Sequence, residues 1–221
     1  MKIQTYNDAQ IQLVAATVDP LRAIKLACDT AIKYVNIAAD QAPRASAKLI
    51  EHLWKNGHHP PLEQVHLTFQ MEGVSRAFLA QITRQRTAHP MSGSQHYQDY
   101  RDYPCTIHKK YIRNTIMTTA LKIAYEAYND LIEQGVPRSE ARMVLPQASC
   151  VNFLFTIDAR NLAYFFQKRL TKRNVAEMRI IAKKMYDLAC EYLPELYTHV
   201  HADDVTEWEE KLNKNTEVRD D

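Results

Sequence analysis

Two stretches of strict alternation constrain this chain more than anything else in it. Val65, Leu67, Phe69 and Met71 alternate with His66, Thr68 and Gln70, and far downstream Val151, Phe153, Phe155 and Ile157 alternate with Asn152, Leu154 and Thr156. A period of two places each apolar set on one face of a strand. A strand with one buried face needs a sheet to join and a second layer to cover it. The segments around these two carry helical periodicity instead, and they supply that layer. The expected fold is therefore α+β, a single domain with a central antiparallel or mixed sheet flanked by long helices. With 221 residues the chain can bury a sizeable core. No repeat, low-complexity linker or composition break divides it, so residues 1–221 read as one domain. The charged stretch from about 212 reads as a frayed tail.

Along the chain, residues 1 to about 18 alternate around Ile11, Leu13 and Val14, giving one or two strands. Asp19-Pro20 starts a helix over Leu21 to Ala31. A second helix is expected over 39–56, with Ala47, Leu49, Ile50, Leu53 and Trp54 on its apolar stripe and Gly57 just past its end. Gly73 closes the first alternating strand, and Ser75 caps a helix over 75–85. Residues 97–112, rich in Tyr, Asp and Arg, read as an irregular crossing. A long helix over about 114–134 stops at Gly135, a short one over 138–144 ends before Pro146, and helices over 161–168 and 175–192 follow the second strand. Pro194 opens a last helical segment.

Bulk properties exclude several classes. The net charge of +2 gives no general pull toward nucleic acid or a membrane surface, and no apolar run is long enough to span a bilayer. The N-terminus lacks the apolar core of a signal peptide. Cys28, Cys105, Cys150 and Cys190 form no CxxC pair or zinc spacing, so reduced thiols in a cytoplasm are expected. With four glycines there is no glycine-rich phosphate loop. The twelve tyrosines suit core positions, a stacking site or a subunit interface.

Chemistry-bearing residues concentrate between Arg84 and Tyr97. Arg84 and Arg86 flank Gln85, and Ser94 follows Arg86 after seven intervening residues. Pro90 and Gly93 forbid a long helix here, so the stretch reads as a helix end running into a shaped loop. A guanidinium grips an oxyanion in a fixed fork, which suits a phosphate-bearing ligand; the other reading is a surface loop with two solvated arginines. His89 and His96 are acid, base or donor groups, or plain structural imidazoles. His58-His59-Pro60-Pro61 with Glu63 matches no helical zinc motif and reads as a proline-stiffened turn, with no metal. If the two alternating strands share a sheet, Arg142 and Arg169 can both reach one edge of it. There they clamp a phosphate, or pair with Glu140 or Asp158. Cys105 and Cys150 have no activating base nearby, and no catalytic triad is apparent.

Taken in order, these pieces resemble the flavin-dependent thymidylate synthases, the ThyX family. That family carries an Arg-His-Arg, seven residues, Ser motif, and Arg84-Gln85-Arg86 with Ser94 has its spacing; Tyr97 falls where the family usually has Tyr. Upstream, Gly57-His58, Pro61-Leu62-Glu63, Leu67-Thr68-Phe69, Gly73 to Ala77 and Gln81 resemble the approach to the motif. Downstream, Arg142 to Pro146 resembles the family's Arg-x-x-Leu-Pro, Thr156 to Arg169 its second nucleotide-contacting segment, and Glu177-Met178-Arg179 the helix after it. The similarity covers roughly residues 10 to 195.

The resemblance implies a mostly helical α+β subunit in a homotetramer with shared active sites. It also implies FAD as cofactor, with 5,10-methylenetetrahydrofolate and NADPH as co-substrates and dUMP converted to dTMP. No protein nucleophile is required, because cofactors carry the hard steps. Carried over by position, Arg84, Gln85 and Arg86 contact FAD, and His58 lies at the flavin or folate face. Gln81, Ser94, His96, Arg142 and Arg169 line the nucleotide pocket. Arg142 serves the phosphate, while Arg169 and Ser94 stand at the reacting pyrimidine, where a guanidinium stabilises developing charge.

The departures from the family pattern fall at Gln85 in place of His, Ser92 in place of Glu and His96 in place of the second Arg. Gln64 replaces a His, Tyr164 an Asn that contacts FAD, and Val175 a Gln. They leave room for two other outcomes on this fold. One is a hydroxymethylase acting on dUMP or dCMP; the other is a nucleotide- or flavin-binding homologue without turnover.

Overall fold

In the computed structural model, residues 1–34 and 38–200 are described. The charged stretch from 212 lies outside them. Both alternating segments are strands. β1 (Ile3–Thr5) and β2 (Gln10–Ala16) open the chain, β3 (His66–Ser75) holds the first alternation, and β6 (Cys150–Asp158) holds the second. Two further strands, β4 (His89–Ser92) and β5 (Cys105–Ile107), lie between them. Val65, Leu67, Phe69, Met71, Val151, Phe155 and Ile157 are all fully buried. Each such side chain contributes about 1.5–3 kcal/mol relative to leaving it in water. The main sheet runs β2-β3-β6-β4, and β1 pairs with β5 in a separate two-stranded sheet. β4 joins β6 antiparallel with Met91 opposite Leu154, and β1 joins β5 parallel with Ile3 opposite Cys105. The α+β architecture with antiparallel pairing is as expected. Neither β4 nor β5 was: four residues broken by Pro90, and three residues inside a polar crossing, carry too little alternation to be seen.

The helices follow their caps. α1 (Pro20–Ile32) starts on Asp19, whose side chain accepts from Arg22 N at 3.2 Å. α2 spans Ala47–Lys55, shorter than the expected 39–56. Pro43 interrupts the early part, and Ser46 caps the true start by accepting from Leu49 N at 3.2 Å. Past its end, Gly57 takes φ +73°, with Gly57 N donating to Trp54 O at 3.3 Å and His58 N to Leu53 O at 2.9 Å. This pair of bonds closes a helix around a left-handed residue. α3 (Arg76–Ile82) begins at the expected Ser75 cap but stops well before residue 85. α4 (Thr115–Glu133), α5 (Arg138–Ala141), α6 (Ala159–Arg169), α7 (Ala176–Tyr192) and α8 (Pro194–Tyr197) complete the set. No helix among the described residues is long and apolar enough to cross a membrane.

The chain divides into two compact units. One comprises Met1–Val14 and Phe69–Thr156; the other comprises Ala15–Thr68 and the residues from Ile157 on. In the first, Cys105, Ile107, Leu121 and Tyr125 form one buried cluster, and Tyr100, Tyr128 and Ala141 another. In the second, Phe166 meets Tyr186 and Tyr197 edge-on at 5.3 and 5.7 Å, and Tyr197 donates to Ala159 O at 3.3 Å. Among the described residues five tyrosines are thus plain core, Tyr100, Tyr125, Tyr128, Tyr186 and Tyr197, while Tyr34, Tyr97 and Tyr111 stand exposed.

Gly73 does not close its strand. β3 continues to Ser75, and Gly73 sits inside it at φ +73°. Its carbonyl accepts from Gln4 Nε2 at 3.0 Å, and its N–H donates to Asn152 Oδ1 at 3.1 Å. A Cβ there would lie 2.5 Å from Gln4 Nε2. Gly73→Ala is therefore expected to lower stability by about 1–2 kcal/mol, through the left-handed backbone and the displaced glutamine. A shift of the urea midpoint measures it, and an unchanged midpoint contradicts it.

Candidate active site

The first group of candidate residues follows α3. Ser75 accepts from Phe78 N at 2.9 Å, and Thr83 folds its hydroxyl back onto Leu79 O at 2.9 Å. Two tight turns then carry the arginines, with Gln85 N donating to Ile82 O at 2.9 Å and Ala88 N to Gln85 O at 3.1 Å. Arg84 and Arg86 thus stand beyond the helix end rather than on it, and both are exposed. Among the described residues neither guanidinium has an ion pair or side-chain hydrogen bond. Gln85, between them, spends its amide on Thr87 Oγ1 at 2.7 Å. Gln81, one turn earlier on α3, is half-buried and its Oε1 has no partner among the described residues.

After β4 the chain turns at Ser94, whose carbonyl accepts from Tyr97 N and Gln98 N at 3.1 and 2.9 Å. Ser94 Oγ accepts from His96 N at 3.2 Å, and the exposed His96 ring meets Tyr97 edge-on at 4.6 Å. Arg138 on α5 donates to Tyr97 O at 3.2 Å and lies 3.5 Å from Asp99. It ties the Ser94 turn to the segment carrying Arg142. Sequence reasoning missed Arg138; no motif marks a side chain whose partner is a backbone carbonyl. Arg142 sits in a 3-10 turn just after α5, with Nε donating to Ser139 O at 3.0 Å. It does not pair with Glu140, and Asp158 caps α6 instead by accepting from Asn161 N at 2.9 Å. Past Pro146 the chain returns to α3, where Arg76 N donates to Ser149 O at 3.0 Å and Ala77 N to Gln147 O at 3.2 Å. Gln81, Arg84, Gln85, Arg86, Ser94, His96 and Arg142 all belong to this first unit.

His58 and Arg169 belong to the second. His58 is exposed on a groove of about 910 Å³ that is walled by α1 and α2 and floored by Pro60, Pro61 and Gln64. Cys28 also lines it. Burial pushes that thiol above its ordinary range, with Lys25 pulling it the other way. Cys105 is fully buried, and burial lifts it to about 11. Neither thiol is a poised nucleophile. Arg169 ends α6, with one hydrogen bond to Asn174 Oδ1 at 3.5 Å. The paired histidines separate in role. His59 is buried and bonded to Tyr164 Oη and Trp54 O, while His58 faces the groove. Glu63 is bound by Arg160, whose guanidinium is held charged by that carboxylate.

Among the described residues the first unit thus offers two guanidiniums without partners, a third with spare N–H groups and an orphaned amide oxygen, a set that suits phosphate groups. The second unit by itself offers an imidazole on an apolar groove, which suits a flat heteroaromatic ring. A family profile described as thymidylate synthase complementing protein matches residues 12–195. The chain belongs to the flavin-dependent thymidylate synthase family. A flavin-dependent thymidylate synthase of Nitratidesulfovibrio vulgaris is 32% identical over 217 residues, covering 89% of this chain and 88% of its own. Another, from Geobacter sulfurreducens, is 30% identical over 199 residues, covering 85% of each. Among solved structures, the UMP/dUMP methylase PolB of Streptomyces cacaoi, bound with 5-Br dUMP, shares the fold. Its TM-score is 0.76 at 19% identity, over 90% of this chain and 96% of that one. Against other flavin-dependent thymidylate synthases, the departures noted in the sequence acquire structural content. Gln85 and Tyr164 are not idle replacements, because each is committed to a partner inside this chain, Thr87 and His59 respectively.

Proposed function

We propose that this chain is an FAD-dependent enzyme that transfers a one-carbon unit from 5,10-methylenetetrahydrofolate to C5 of a deoxypyrimidine monophosphate, converting dUMP to dTMP. NADPH is the proposed reductant and a homotetramer with shared active sites the proposed assembly. One domain over residues 1–221 is the proposed organisation, and the cytoplasm the proposed compartment; four free thiols suit reducing conditions. The observation that carries the reading is the motif itself. In a chain of this family, Arg84 and Arg86 keep their spacing to Ser94 and have no side-chain partner among the described residues. Bound FAD supplies hydride chemistry that no side chain has, and the folate supplies the carbon.

The protein's own groups bind and orient. Arg84 and Arg86 offer forked donors to the cofactor diphosphate. His58 closes one wall of the groove against the flavin or folate ring. Gln81 and Ser94 present hydrogen-bonding groups to the nucleotide, Arg142 grips its phosphate and His96 adds a pH-sensitive contact beside it. Arg169 would offer positive charge to the pyrimidine face, where charge develops as C5 bonds to the one-carbon unit.

Incubating the purified protein with dUMP or dCMP, methylenetetrahydrofolate and NADPH, and weighing the product, tests the reading. A flavin spectrum and dTMP are expected. A hydroxymethylated nucleotide favours the alternative suggested by the commitments of Gln85 and Tyr164. A yellow protein without product indicates a binding homologue. A protein that binds no flavin removes the synthase reading altogether. Arg142→Ala is expected to weaken nucleotide binding about tenfold to a hundredfold, the worth of a charge-assisted contact. Flavin binding should stay within about twofold by the same arithmetic. Equal loss of both contradicts the placement of Arg142.

A further inference from the structure

His59 is the residue next to the groove histidine, yet it points the other way. It is 8% exposed, and both its ring nitrogens are used. Nε2 lies 3.0 Å from Trp54 O, and Nδ1 lies 2.8 Å from Tyr164 Oη. A carbonyl only accepts, so Nε2 carries the proton and Nδ1 accepts from the Tyr164 hydroxyl. The ring also stacks on Trp54 at 4.8 Å and 27°, and meets Tyr164 edge-on at 5.6 Å. Trp54 O, in the last turn of α2, already accepts from Gly57 N at 3.3 Å, so His59 adds a side-chain bond to the cap that Gly57 begins.

Tyr164 comes from α6, far along the chain, and it does not act alone. Arg160, one helical turn earlier on the same face, holds Glu63 in the turn at Pro60–Gln64, and its guanidinium lies 5.7 Å from the Tyr164 ring. The segment from Gly57 to Gln64 is therefore fastened to α6 at two points, one on each side of the prolines. His58 lies between α2 and these fastenings. His58 N is itself bonded to Leu53 O, and Leu62 N to His59 O.

We propose that Tyr164 and His59 are positioning residues, a tyrosine–imidazole clamp that sets where His58 stands on the groove. The proposal rests on the reading that His58 faces the cofactor or folate ring. It gives Tyr164 a task at the very position where the family commonly has Asn.

A double-mutant cycle on the flavin-loaded enzyme tests it. Tyr164→Phe keeps the ring and removes only the hydroxyl. It is expected to lower kcat about tenfold with KM for the nucleotide within about twofold, the signature of lost alignment rather than lost binding. In a His58→Ala background the same change should cost less than about twofold, because a clamp that acts through His58 has nothing left to align. A merely structural role multiplies equally in both backgrounds and overturns the proposal. So does a His58→Ala enzyme of full activity, or a Tyr164→Phe enzyme of full activity. Amide exchange reads the clamp without turnover. In Tyr164→Phe the His58 and Leu62 amides should exchange about tenfold faster while those of α7 stay unchanged. Unchanged exchange at His58 and Leu62 overturns the clamp. A protein without flavin that still shows this local acceleration keeps the clamp while losing the synthase reading.

Discussion

Replacing Arg169 with alanine is expected to lower turnover about a hundredfold to a thousandfold, the usual loss when one group stabilising developing charge is removed. The structure makes this a clean experiment. Arg169 ends α6, and its one side-chain hydrogen bond among the described residues, to Asn174 at 3.5 Å, is long. It has no ion pair among the described residues, so no buried carboxylate is orphaned by its removal. The stability cost is limited to the favourable placement of a cation at a helix C-terminus, about 0.3–1 kcal/mol. Fold and activity therefore separate. Steady-state kinetics with a thermal melt reads both, and the loss should fall in kcat more than in KM. Arg169→Lys should recover little, since a point charge does not reproduce a planar fork. Full turnover in the alanine variant would remove Arg169 from the pyrimidine face.

The second large effect is on stability. Phe155 is completely buried in β6, opposite Pro90 of β4. Phe155→Ala is expected to cost about 3–5 kcal/mol, combining lost transfer energy with a cavity in a packed interior. Since a domain is held by only about 5–15 kcal/mol, this is a large share of the whole. Phe155→Leu should cost about 1.5 kcal/mol or less, as it keeps most of the volume. The two urea midpoints, taken together, distinguish a core position from a surface one. Equal, small shifts would place Phe155 outside the core.

How much of this was legible beforehand depended on signal length. The strands β3 and β6 carry seven or more alternating positions, and their buried faces were read correctly residue by residue. The caps at Asp19, Ser75 and Gly57 were equally readable, because each needs only local geometry. What failed was longer in reach. The early part of the expected second helix was periodic enough to mislead, and Pro43 with Ser46 overruled it. Helix α3 was extended to residue 85 because nothing in a propensity argument says where tertiary pairing will pull the chain away into β4. Gly73 looked like a stop and is a kink that Gln4 and Asn152 hold from two other parts of the chain.

The candidate site shows the same division. Arg84, Arg86 and Ser94 stood out by spacing, and Arg142 and Arg169 by their place after helical and strand signals. Arg138 and Arg160 did not, and Tyr164 showed only as a departure from the family's Asn, since their partners lie 41, 97 and 105 residues away. By residue type His58 and His59 looked alike, and only the family resemblance singled out His58. One ring reaches a groove and the other a helix end, a distinction only three-dimensional packing makes.

The strand β4 has a bearing on how this protein behaves at high concentration. It is one of the two outer strands of its sheet, and its four residues are all exposed, Met91 at 73%. An open outer strand is a template on which further chains can add, the first step of fibrillar aggregation. Pro90 interrupts that template by removing one backbone donor from the row, and four residues leave little length to recruit on. The proline that hid this strand from sequence reasoning is thus also a guard on solubility, and it stands within the stretch that joins Arg86 to Ser94.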